Sequence, residues 1–208
     1  MPIYDNEMKK KLETLASTVP GSTTREKWVN LVRAMRLQTN YVYNYNRRPY
    51  QGRAVVGEIF NLAREDKLPI RLFLGDVSCG YYGDTTLLSE LRSLADRGNE
   101  VTVVLAEKPD SSDLNAWIKL SRYEKVRVLH KDKYDEDLSH VCIAGSLTDS
   151  HAAYRLEAPH KKLSKHEKVT SESPERPAKF AFNAPTDVGG IMHYWDSTVI
   201  SNCKNLEA

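Results

Sequence analysis

The sequence predicts an α/β fold, a mixed and largely parallel sheet flanked by helices. Three short apolar runs, Ile70 to Leu74, Val101 to Leu105 and Val126 to Leu129, have the length and β-branched content of buried strands. The stretches between them place apolar residues every three or four positions, the period of a helix packed on one face. Strand and helix in strict alternation favour right-handed crossovers and parallel pairing. The order then changes, because His140 to Ala144 and Ala152 to Glu157 lie close together around the polar stretch Gly145 to Ser150. That pair predicts an antiparallel hairpin.

The elements follow in chain order. Residues 1–22 are polar, contain Pro20-Gly21, and read as an arm or a short leading helix; residues 23–208 read as one domain. Thr23 and Glu26 have capping-box spacing, and Trp28, Leu31, Val32 and Met35 share the following helical face. Thr39 to Tyr45 favours a strand through its β-branched and aromatic residues. Val55, Val56, Ile59, Phe60 and Ala63 form a helical stripe that must stop before Pro69. Leu88, Leu91 and Ala95 mark a helix that Gly98 closes as a left-handed cap, and Leu114, Trp117 and Ile118 mark another. The charged stretch 158–178, with Pro159, Pro174 and Pro177, reads as a mobile loop. Lys179 to Asn183 predicts a strand, and Pro185 opens a last helix with Val188, Ile191, Met192, Trp195 and Val199 on one side.

Composition narrows the function classes. A chain of 208 residues can bury a sizeable single core. Thirty basic against 28 acidic residues give a net charge of +2, so any basic surface has to be local. Cys79, Cys142 and Cys203 are widely spaced and lack zinc-ligand spacing, which points to a reduced cytoplasmic setting with neither metal nor cofactor. No apolar run approaches the ~20 residues of a membrane span, and a soluble protein is expected.

The hairpin carries the chemistry. Ser139-His140-Val141-Cys142-Ile143-Ala144-Gly145 and His151-Ala152-Ala153-Tyr154-Arg155-Leu156-Glu157, followed by a strand ending Phe182-Asn183 before Pro185, resemble one lobe of the phospholipase D-like phosphodiesterases. The resemblance covers roughly residues 27–203. That family writes His-x-Lys-x4-Asp-x6-Gly-Ser-x-Asn across such a hairpin. Here only His140 stays. Cys142 stands at the lysine, Leu147 at the aspartate, and Tyr154, Arg155 and Glu157 at the Gly, Ser and Asn positions. The resemblance implies paired lobes, hence a homodimer with facing hairpins. It also implies metal-independent attack on phosphorus by one histidine while a second protonates the leaving oxygen. Arg155 would replace the missing lysine as a phosphate ligand. Glu157, two residues along the same strand, pairs with Arg155, pairs with His140, or completes such a site.

Other stretches are candidates for binding. Tyr41, Tyr43, Tyr45, Arg47, Arg48, Tyr50 and Arg53 combine rings that stack on bases with cations that hold phosphates, or else form a strand packed under a helix. Lys161 and Lys162 sit in the charged loop, as solvated cations or as contacts to a phosphate backbone. Gly75 to Asp84 lies between a strand and a helix, where an anion could bind or Asp84 could cap the helix. Three functions remain open. One is a catalytically degenerate phospholipase D-like binding or accessory module, for nucleic acid or a protein partner. Another is a divergent homodimeric phosphodiesterase or nuclease using His140, Arg155 and Glu157. The third is a structural dimerising protein. The degenerate binding module is the reading adopted.

Overall fold

A computed structural model describes residues 14, 17–37, 43–47, 49–75, 85–159 and 176–206. Its helices are α1 (Thr24–Arg36), α2 (Pro49–Asp66), α3 (Thr85–Asp96), α4 (Ser111–Ser121) and α5 (Pro185–Tyr194), the last running into a π-helical turn at Trp195–Val199. Its strands are β1 (Tyr43–Arg47), β2 (Ile70–Leu74), β3 (Val101–Leu105), β4 (Val126–His130), β5 (His140–Ala144), β6 (Ala153–Glu157), β7 (Arg176–Ala181) and β8 (Lys204–Asn205). They form one eight-stranded sheet in the order β1-β7-β6-β5-β2-β3-β4-β8.

The mixed sheet and its flanking helices agree with the sequence reading, but the parallel share is smaller than expected. Among the described residues only β2–β3 and β3–β4 pair in parallel; β1–β7, β7–β6, β6–β5, β5–β2 and β4–β8 are antiparallel. The physical reason is chain order. A crossover helix is needed only where two neighbouring strands run the same way, and only α3 and α4 serve that purpose. After β4 the chain returns to the opposite side of β2 and builds outward by antiparallel pairing.

Two apolar layers hold the sheet. On one face Trp28, Val32, Val55, Ile59, Phe60, Leu91 and Trp117 from α1 to α4 pack on Leu72, Leu74, Val103, Cys142 and Phe180. On the other, Val188, Ile191, Trp195 and Val199 pack on Phe73, Val104, Leu129, Val141, Ile143 and Tyr154. Each such side chain, fully buried, contributes about 1.5–3 kcal/mol.

Local signals explain the boundaries. Thr23 Oγ1 accepts from the Glu26 amide at 3.2 Å, and Glu26 Oε2 accepts from the Thr23 amide at 3.2 Å, so the predicted capping box is present. Hydrogen bonds from the Ser22 hydroxyl first, then from the Ser22 and Thr23 amides, hold the Glu26 carboxyl below its usual range. Gly98 has φ +85°, the left-handed cap that ends α3. The neighbouring Asn99 is 1% exposed and donates to Ala63 O at 2.8 Å and Leu68 O at 3.0 Å, tying the end of α2 to the entry of β3.

Several strand boundaries differ from expectation: β4 ends at His130 rather than Leu129, β6 starts at Ala153 rather than Ala152, and β7 ends at Ala181 rather than Asn183. Within the described residues β1 runs Tyr43–Arg47, beyond the expected end at Tyr45, because Asn46 and Arg47 continue the ladder against Pro177 and Arg176. Likewise β7 starts at Arg176, so 176–178 are strand rather than loop. Pro177 is tolerated at the start of the strand, where its missing N–H costs least. Residues 160–175 of the expected loop lie outside the described residues, as do 1–13 of the expected arm. The sequence reading missed the π turn and β8.

Candidate functional site

The candidate site lies at the carboxyl end of β2, on the helix-covered face formed with α1 to α4. Ligands of open α/β sheets gather beyond the carboxyl ends of such strands. The register decides which side chains meet there. In the β5–β6 hairpin His140 pairs with Glu157 and Cys142 with Arg155. Residues directly opposite share a face, and residues two apart on one strand share it too. His140, Cys142, Arg155 and Glu157 therefore project from the same side of the sheet. One register step would have sent all four to the other side.

All four are deeply buried. His140 is 2% exposed, Cys142 1%, Arg155 1% and Glu157 0%. Arg155 Nη2 donates to Glu157 Oε2 at 2.5 Å, a charge-assisted hydrogen bond inside the core. The sequence left three partnerships open for Glu157, and its pairing with Arg155 is present.

His140 opens β5, one step beyond the Phe73–Val141 pair with β2. Its ring meets Phe73 edge-on, with centroids 5.7 Å apart and planes at 86°. It also lies against backbone. A Cβ placed on Gly75 would fall 1.7 Å from Nε2 of His140, so only glycine lets the imidazole sit there. Before His140, the Ser139 amide donates to the Tyr194 hydroxyl at 2.9 Å, which donates back to Ser139 O at 3.3 Å. That clasp from α5 fixes where β5 begins. Burial raises the Tyr194 hydroxyl above its ordinary pKa, against the Ser139 hydrogen bond.

Cys142 occupies the position where a lysine would supply charge. Burial pushes its thiol up to about 12, and the nearby Arg155 pulls back only weakly. A thiol so placed is neutral and packs as a small apolar group. The polar set is thus one imidazole, one guanidinium and one carboxylate, with the two charges opposed.

The remaining candidates are scattered. Arg53 is exposed on α2. Tyr43 and Arg47 are the ends of β1, in register with Phe180 and Arg176. Arg48, Lys161 and Lys162 lie outside the described residues, as do 76–84 of the Gly75 loop. Elsewhere Lys131, just after β4, donates from Nζ to Thr198 O at 3.3 Å and Ser201 O at 3.1 Å. Sequence reasoning missed the tight approach of Gly75 to His140. Its only signal was a glycine directly after an apolar strand. Also unforeseen was Glu58, 4% exposed on α2, which accepts from Arg33 Nε and from Arg36 Nη1 of α1, each at 3.3 Å. Among the described residues no group of three His, Cys, Asp or Glu side chains could hold a metal ion. No described helix is long and apolar enough to cross a membrane.

Neither known family models nor curated proteins match this sequence. Eight solved chains match its structure. Polyphosphate kinase from Porphyromonas gingivalis is similar over 94% of this chain and 31% of its own, at 16% identity and a TM-score of 0.53. TrmBL2, an archaeal chromatin protein with a novel mode of DNA binding, is similar over 91% of this chain and 62% of its own, at 14% identity and a TM-score of 0.48. The chain therefore spans less than two thirds of either protein. The likeness is one of fold: this chain has a phospholipase D-like fold, a mixed open sheet flanked by helices.

Proposed function

We propose that this chain is a catalytically degenerate phospholipase D-like module that binds nucleic acid instead of cleaving phosphodiesters. One observation carries the loss of catalysis: the buried Arg155–Glu157 ion pair beside His140. A phosphate diester needs a surplus of positive donors where charge develops in the transition state. Here the guanidinium already holds a carboxylate, and the position expected to supply an ammonium holds the neutral Cys142 thiol. The imidazole is enclosed by Phe73 and Gly75.

The nucleic-acid part rests on the edge of the sheet. Arg47 and Arg176 are register partners at the end of β1, and the exposed Arg53 follows on the first turns of α2. These three arginine positions fall at one corner of the sheet by backbone register, and arginine is a residue type suited to a phosphate backbone. As in phospholipase D-like pairs, a homodimer would double that footprint.

Two measurements test the reading. Hydrolysis of a chromogenic phosphodiester and of DNA, with EDTA present, should stay at background for the wild type and for His140→Ala alike. Turnover abolished by His140→Ala would establish the divergent phosphodiesterase instead. In mobility shifts the wild type should bind single- or double-stranded DNA at low salt. The triple change Arg47→Ala, Arg53→Ala, Arg176→Ala should weaken binding uniformly across sequences and flatten its salt dependence by about one unit per lost phosphate contact. Unchanged affinity would exclude this surface.

A further inference from the structure

We propose that Arg71, Thr102 and Arg127 form a second phosphate-backbone contact surface, at the amino ends of β2, β3 and β4 on the α5 side of the sheet. The proposal rests on the nucleic-acid reading above and adds a surface which that reading does not use.

Strands buried on both faces read as unbroken apolar runs. Strands β2, β3 and β4 are buried at every position except the second. Those second positions are Arg71, Thr102 and Arg127, and the register sets them side by side in one row across the sheet. Alternation puts all three on the side of Phe73, Val104 and Leu129, which α5 covers. That helix and its π turn also bury Ile143 and Tyr154 further along the same row, and leave the three open. Neighbouring strands are about 4.8 Å apart, so the two arginine Cα atoms lie roughly 10 Å apart with Thr102 between them.

The charge of this row is not compensated. Glu157 is the one acidic residue of the described strands, and it projects from the other side. Among the described residues neither Arg71 nor Arg127 pairs with a carboxylate, whereas Arg36, Arg64 and Arg155 hold Glu65, Glu90 and Glu157. Arg71 Nη1 donates to Gly145 O at 3.2 Å, which uses one of five guanidinium donors. Burial, and then the charge of Asp187, raise the Tyr154 hydroxyl two strands beyond Arg71, which places that carboxylate at the covered end of the row. Two guanidinium forks flanking a hydroxyl match the donors that phosphate oxygens accept from. Arg176 lies at the opposite end of the sheet and five strand spacings from Arg127, about 24 Å, a span that a polymer backbone bridges and a small anion does not.

The experiment follows fluorescence anisotropy of labelled single- and double-stranded DNA over a salt series. It compares wild type, Arg71→Gln with Arg127→Gln, Arg127→Gln alone, and Arg25→Gln with Lys119→Gln. The last pair removes equal charge from exposed positions on α1 and α4, on the other side of the sheet. The row double variant should bind about tenfold or more weakly and lose about 1.8 from the salt slope on duplex and about 1.4 on single strands. Arg127→Gln alone should lose about half of that slope, and the α1–α4 control should stay within about twofold of wild type. A row variant that keeps the wild-type circular dichroism, affinity and slope overturns the proposal, as does a control that loses as much. If the double variant does not fold, Arg127→Gln alone decides by the same criterion, since that side chain is exposed. Binding lost only in the Arg47, Arg53 and Arg176 variant removes this row and leaves the nucleic-acid reading standing. A wild type that binds no DNA at low salt defeats that reading and this surface with it.

Discussion

Strands β2, β3 and β4 share a sheet with β5, β6 and β7, yet the two halves bury different chemistry. The parallel half buries Ile70, Leu72, Phe73, Leu74, Val101, Val103, Val104 and Leu105, each 2% exposed or less. The antiparallel half buries His140, Arg155 and Glu157 to the same degree. Two helices cross over the parallel strands and seal them, so apolar side chains suffice there. In the other half the polar residues survive only because they are partnered, since an ion left alone in such a place costs several kcal/mol. The contrast teaches that depth of burial does not separate scaffold from site in this fold. The kind of partner does.

Breaking the ion pair from one side should have the largest effect. Arg155→Met leaves the Glu157 carboxylate buried without its main cation and should cost about 3–5 kcal/mol by urea unfolding. Adding Glu157→Met should recover most of that loss. A double variant no more stable than the single would show that the pair is not the coupled unit described.

In the parallel half the same logic predicts no rescue. Leu91, 0% exposed on α3, packs within the apolar layer, and Leu91→Ala should lose about 3 kcal/mol through lost transfer energy and the cavity left behind. A loss below about 1 kcal/mol would mean that the layer collapses into the gap.

A smaller loss is expected at the entry to α1. Thr23→Ala removes the hydroxyl that accepts from the Glu26 amide and should cost about 1 kcal/mol, read from the shift in denaturation midpoint. Thr23→Ser should restore most of it.

The subtlest effect concerns alkaline pH. The Cys142 thiol is raised from an ordinary 9.0 to about 12 by burial, so the folded state holds its proton more tightly than the unfolded chain. Its contribution to stability is complete below about pH 9 and declines as pH climbs from 9 toward 12. Cys142→Ala should lessen the loss of stability over that window. Native Cys142 should also resist alkylation at pH 8 in site-resolved mass spectrometry, and rapid labelling would contradict the neutral, packed thiol.

Much of this fold was legible in the chain because the relevant signals are local. Strands β2 and β3 sit where their apolar runs lie, and α1 begins at its capping box. Gly98 takes the left-handed conformation that its position after α3 implied. The hairpin, too, could be placed from its two apolar segments. The sheet's share of antiparallel pairing was not legible, because strand neighbours are chosen by long-range packing rather than by any single segment. Nor were Asn99 and Glu58, whose partners lie 22–36 residues away in sequence.

The candidate site divides along the same line. By itself the sequence determined that His140 would stand on the hairpin without a lysine two positions on, and that Arg155 and Glu157 would share one side of a strand. Side-chain alternation along a strand has period two and needs no tertiary information. Only the tertiary structure decided that this side is the one packed by α1 to α4, with His140 held against Gly75 and the guanidinium closed on the carboxylate. Strand pairing brings together residues distant in sequence, and the low dielectric of the enclosed face makes charge neutralisation decisive.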